Sequence, residues 1–157
     1  MRKYLAAAAI AAALAPTASA TTFPSLTTIY VGSGVKDDGG AFDTGVATSI
    51  HCSNVSGVSV QLRVLILGTN GLVAGSRTRS LAHGATETLS THQTVIFSDG
   101  GGNDLATGSV SQGVVNVEAT DSAVFCTAPV IDAGSAKPVF SMPLHLVRVN
   151  PHPGTVE

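Results

Sequence analysis

The 157-residue chain contains no tryptophan, and all its aromatic residues together make up 4% of it. Sugar sites stack pyranose rings on exposed aromatic faces. Beyond Tyr4 the chain has only Tyr30 and five Phe for both core and surface, so a stacking platform is not expected. Charge is also scarce, at 11% of residues, with eight basic against ten acidic side chains. A phosphate-backbone partner needs clustered Lys and Arg, which this composition does not supply, so no nucleic-acid partner is expected. Long apolar runs are confined to the first twenty residues. Cysteine occurs only at Cys52 and Cys126.

The first twenty residues read "MRKYLAAAAIAAALAPTASA". Arg2 and Lys3 form a positive start, Leu5 to Ala15 an apolar run, and "ASA" at 18–20 a small-residue cleavage site. This is the pattern of a cleavable signal helix over residues 1–20, too short to remain as a bilayer span. Export to the periplasm or the medium is therefore expected. Removing Arg2 and Lys3 leaves six basic residues against the ten acidic ones. No long apolar segment follows, so the mature chain is expected to be soluble. Residues 21–150 are long enough for one domain with a real core, and residues 151–157, "PHPGTVE", form a Pro-rich tail.

What the domain does contain is Gly, Ala, Thr, Ser and Val in runs that alternate with turn clusters every 8–15 residues, an all-β pattern. The segment 58–68, "VSVQLRVLILG", is the clearest strand, with Val58, Val60, Leu62, Val64 and Ile66 on one face. "GTNGL" (68–72) follows, and its Asn-Gly predicts a hairpin. In "VATSIHCSN" (46–54), Val46, Thr48, Ile50 and Cys52 share a face. Further strands are expected over 26–35, 72–84, 85–98, 114–132 with a corner at Asp121, and 137–150. Glycine-rich loops are expected over 34–45 and 99–113. No helix longer than a turn and no repeat is expected after residue 20. The predicted fold is a single antiparallel β-sandwich.

Two cysteines in an oxidising compartment favour a disulfide. Joining Cys52 to Cys126 closes a loop of about 75 residues, for which the chain-entropy model gives about 4–4.7 kcal/mol. Val124 and Ala128 should line the core with Cys126. His51 cannot easily orient Cys52 as a nucleophile, because neighbours along a strand point to opposite faces. The stretch "ATDSAVFCTA" (119–128) resembles the end of an immunoglobulin variable domain. That fold needs a Trp packed on the bridge and a Tyr two residues before the second Cys. Here there is no Trp and Val124 holds the other position, so the resemblance extends only to general architecture: two sheets stapled by one bridge. The pieces "HCSN", "VSVQLRVLIL", "GTNG", "LAHGATETL", "GVVNVEATD" and "AVFCTAPV" resemble, over residues 47–132, a sandwich module of small secreted bacterial proteins. "GVKDDGG", "TGVATSIHCSN" and "NPHPG" extend that likeness along the chain. The resemblance implies a structural or binding unit rather than an enzyme, and it carries over no site residue.

The acidic loop "KDDGGAFD" offers Asp37, Asp38 and Asp43 as candidate ligands for calcium, a hard cation that takes oxygen donors. Asp99, Asn103 and Asp104 form a second such group, resembling one copy of a calcium-binding nonapeptide repeat, though such repeats work by stacking. Solvated loop carboxylates are the plainer alternative for both. Five histidines, at 51, 83, 92, 145 and 152, invite a copper reading. No H-x-H or H-x-M occurs, however, and "TAPVID" after Cys126 contains neither His nor Met. "VGSGV" is not a nucleophile elbow. Glu87 and Glu118 lie on unrelated strands and nominate no glycosidase pair. No catalytic residue and no cofactor is expected. The expected role is an exported, non-enzymatic structural or partner-binding protein with a protein or envelope partner, as a monomer or weak oligomer. A calcium- or copper-binding secreted protein is one alternative. Another is a fimbrial or coat subunit that donates "TTFPSLTTIYVG" to a neighbour.

Overall fold

The computed structural model describes residues 25–97 and 104–149. The proposed signal helix, the tail from residue 150 and the first five residues of the second acidic loop, 99–103, lie outside them. Nine strands follow in order: β1 (Thr27–Asp37), β2 (Val46–Asn54), β3 (Val60–Leu67), β4 (Val73–Leu81), β5 (Thr86–Ser90), β6 (Val110–Ala119), β7 (Val124–Asp132), β8 (Ser141–Leu144) and β9 (Leu146–Arg148). They form two antiparallel sheets, ordered β4-β3-β6-β1-β9 and β5-β2-β7-β8. No helix occurs among the described residues.

The alternation in β3 sets the first sheet. Val60, Leu62, Val64 and Ile66 are buried and the intervening residues are partly exposed. Val58 precedes the strand and is exposed, so the inward row begins two residues later than the pattern suggested. The Asn-Gly turn closes β3 onto β4: Gly71 has φ +74° and its N–H donates to the Gly68 carbonyl at 2.9 Å. From β6, Val115, Val117 and Ala119 point inward to meet Ile50, Leu89, Val124, Ala128 and Val130 of the second sheet. The corner at Asp121 is present, its carboxylate accepting the Ala123 N–H at 2.7 Å.

Three expectations need correction. The disulfide joins Cys52 and Cys126, but the two residues are direct cross-strand partners on β2 and β7, with Cα atoms 4.2 Å apart. It therefore ties two strands of one sheet and does not staple the sheets together. Cys52 and the neighbouring Val124 and Ala128 are buried, whereas Cys126 is only partly so. The strand expected over 85–98 stops at Ser90. Residues 91–97 instead run over the outer side of the second sheet, with Thr91 and Val95 N–H donating to the Thr48 and Ala133 carbonyls. That cover buries Ala47, Ser49 and Ile131 on a face that would otherwise meet solvent. The last strand, expected as one piece, changes sheet at His145. β8 pairs with β7 through Ala128↔Leu144, and β9 pairs with β1 through Gly32↔Leu146.

At one end of the sandwich Asn54 is fully buried and its side chain is saturated. Its amide N–H groups donate to the carbonyls of Val58 (2.7 Å) and Leu81 (2.8 Å), and its carbonyl oxygen accepts the Ser56 N–H (2.9 Å). One side chain thus closes the β2–β3 loop and fixes the end of β4.

Candidate functional site

The opposite end carries the cluster of titratable groups nearest to a site. β1 runs as far as Asp37, so this residue is not in a solvated loop; it is 1% exposed. Its Oδ1 accepts the Gly39 N–H at 2.7 Å. Its Oδ2 lies 2.7 Å from Nδ1 of His92, which residues 91–97 carry in from the second sheet. The other ring nitrogen of His92, Nε2, lies 2.9 Å from the carbonyl oxygen of Thr44. Both partners are acceptors, so each ring nitrogen must donate, and only the imidazolium does that. Protonated, His92 forms a buried ion pair with Asp37.

The surroundings agree with this protonation state. The hydrogen bond to Asp37 raises the His92 pKa above its ordinary 6.5 against the opposing effect of burial, helped by the nearby negative charge and by the Thr44 carbonyl. Burial alone would push the Asp37 carboxyl up. Hydrogen bonds from His92, Thr91 and the Gly39 N–H outweigh it and hold the group below its ordinary 3.8. The threonines around the pair are used as connectors. The buried Thr48 hydroxyl accepts the Lys36 N–H (2.9 Å) and donates to the Lys36 carbonyl (2.8 Å), linking β2 to β1 across the two sheets.

Of the three acidic residues singled out above, the fold brings Asp37 and Asp38 together and adds His92. One ligand atom from each of these three lies within 4.8 Å of the others. Asp38 is exposed, and its two oxygens accept the Gly40 (3.1 Å) and Val46 (3.0 Å) N–H groups. Asp43 is not part of this group. It adopts φ +61°, its Oδ2 accepts from Gln93 at 3.2 Å, and its Oδ1 is enclosed with no hydrogen-bond partner among the described residues. While both nitrogens of His92 donate, the ring has no lone pair for a metal, so any cation would have to rely on the carboxylates. As it stands the arrangement is a clamp: it ties the end of β1, the 38–45 loop and the 91–97 segment to one another. The sequence offered no local signal for it, since Asp37 and His92 are 55 positions apart.

The remaining candidates do not converge. Asp104 makes a bridge to Ser90, and Asp99 and Asn103 lie outside the described residues. Glu87 pairs with Arg79 at 3.5 Å, and Glu118 pairs with Arg63 in the other sheet. His51 meets Thr88 at 3.0 Å and the edge of the Phe97 ring, away from Cys52. His83 accepts the Gly57 N–H at 3.0 Å, and His145 is exposed at the bend between β8 and β9. His152 falls outside the described residues. Ser33 of "VGSGV" sits within β1, where no turn presents it as a nucleophile.

The outer face of the five-stranded sheet is different in kind. The register places Ser76, Leu65, Asn116, Val31 and Val147 in one row across all five strands. Leu67, Val114 and Ser33 form the next row, and Val73 flanks Leu67. The Arg63–Glu118 pair next to these rows neutralises itself. Val73 and Val147 are 61% and 55% exposed, and Val31, Leu65, Leu67 and Val114 are partly exposed between them, alongside Ser33, Ser76 and Asn116. No helix among the described residues is long and apolar enough to cross a membrane. Comparison with known proteins finds no matching family model, curated protein or solved structure.

Proposed function

We infer that the chain is an exported, non-enzymatic β-sandwich that works by binding a protein partner through the outer face of its five-stranded sheet. The observation that carries this reading is a contrast between two surfaces. The cluster that could do chemistry spends its polar atoms on holding the fold, with both nitrogens of His92 and both oxygens of Asp37 engaged internally. The partly exposed apolar side chains around Leu65 and Leu67 have no such internal use, and exposed apolar side chains grouped in this way mark an interaction surface. Export is supported by the start of the sequence, and an intact disulfide is compatible with it. General likeness to immunoglobulin-type architecture belongs to the same reading. In the fimbrial alternative residues 21–32 would be donated to a neighbour. Thr27 to Gly32 are instead used within their own chain, paired with β6.

A photo-crosslinking residue placed at position 65 or 147, with position 86 on the opposite sheet as control, tests the proposal in exporting cells. Discrete protein adducts are expected from the first two positions and not from the third. Equal labelling from all three, or none from the face, overturns the reading. Calcium added to the purified protein is expected to leave the thermal midpoint unchanged. A clear rise would return the Asp37–Asp38 loop to the cation-binding alternative.

A further inference from the structure

We propose that the Cys52–Cys126 bridge is a thiol–disulfide exchange site, with Cys126 as the sulfur that a small thiol attacks. Three observations lead there, and all of them concern position. First, the change of sheet at His145 leaves Cys126 without a neighbour on one side. Continuing the β7–β8 register past Ala128↔Leu144 would set residue 146 opposite Cys126, but Leu146 has crossed to pair with Gly32 of β1. Second, the vacated place is a cavity of about 330 Å³ lined by Cys126, Thr127, Pro143, Leu144, His145 and Leu146. Third, the strand order β2-β7-β8 puts Cys52 on one side of Cys126 and the cavity on the other. The cavity thus lies on the side of Cys126 away from Cys52, the side from which displacement along the S–S bond has to come. Cys52 is 1% exposed and offers no comparable approach.

The step balances with thiols alone. The incoming thiolate bonds to Cys126 Sγ, the S–S bond breaks, and its electron pair leaves on Cys52 Sγ, which takes a proton from water. A second thiolate attacks the first thiol's sulfur and frees Cys126. The protein disulfide is thereby reduced by two electrons, and two small thiols are oxidised to their disulfide. The strands need not part. β2 and β7 are paired from Val46↔Asp132 to Asn54↔Val124, and that ladder remains when the covalent link opens.

Native protein incubated with reduced glutathione at mildly alkaline pH, quenched with an alkylating agent and mapped by peptide mass, tests this. The expected intermediate carries glutathione on Cys126 and the alkyl group on Cys52. Its rate of formation should rise with glutathione concentration, and the far-UV spectrum should not change. A His145→Trp variant, which narrows the cavity from its exposed rim, should react several-fold more slowly with an unaltered thermal midpoint. Glutathione found on Cys52, or reduction that proceeds only at the concentration-independent rate of global unfolding, overturns the proposal.

Discussion

His92 is held between two acceptors, and the consequence is a defined dependence on pH. Its pKa is raised in the folded protein, so the stability it contributes is complete below its ordinary 6.5 and is lost as pH rises through the folded value. Asp37 is lowered, so its contribution is present above its ordinary 3.8 and is lost as pH falls through the folded value. Both contributions are therefore at full strength between those two ordinary values. The urea midpoint is expected to fall from mildly acidic to alkaline pH in the wild type, and a His92→Gln variant should lose most of that slope. Asn54 tests a neutral buried group in the same way. Replacing it with Leu leaves the carbonyls of Val58 and Leu81 and the Ser56 N–H without their partner. The expected loss is about 2–4 kcal/mol, measurable by urea unfolding. Neither role was legible in the sequence. Asp37 looked like a loop carboxylate because glycines follow it, and Asn54 looked like a strand end. What decides both is who sits opposite, and that depends on pairings many residues away.

The strands were easier to read wherever one face is buried and the other is not. β3 alternates cleanly because its outer face meets solvent, and the Asn-Gly turn fixed its partner. β5 was read as continuing past Ser90 because residues 91–97, "THQTVIF", have strand-like composition. They cover a sheet face instead of joining it. β4 is held from the side in a comparable way. A Cβ on Gly75 would lie 2.6 Å from the Leu105 carbonyl oxygen and 2.8 Å from Thr107 Cγ2. Gly75→Val should therefore push the 104–108 segment off the strand, at a cost of about 1–3 kcal/mol, seen as increased amide exchange at Leu105 and Thr107. These two N–H groups otherwise donate to the Ser90 and Thr91 carbonyls.

For the molecule entire, the two-sheet architecture followed from strand number, turn spacing and the lack of any helical period. The strand order did not, because nothing local says that β1 pairs with β6 or that the last strand divides between sheets. The disulfide partners were legible by elimination, since there are only two cysteines, while their place within a single sheet was not. A Cys52→Ser, Cys126→Ser double variant should lose about 4 kcal/mol on the chain-entropy account of a loop this long. Because the β2–β7 ladder remains, it should retain the native far-UV spectrum at room temperature. A large part of the stability of a small domain depends on that link.

The division of the final strand also has a bearing on timing. β1 and β7 are the last members of their sheets until residues 141–148 arrive, the latest in chain order among the described strands. Until then each presents an unpaired rim of N–H and C=O groups, the template on which chains stick to one another. β8 ends that hazard with only four residues, one of them Pro143, which has no N–H to offer a newcomer. A chain stopped before Ser141 should accordingly accumulate as aggregates under conditions where the longer chain stays dispersed, as light scattering would show. The segment that completes the sandwich is thus also its gatekeeper, and the dangerous interval in the life of this protein is the one before its last strands emerge.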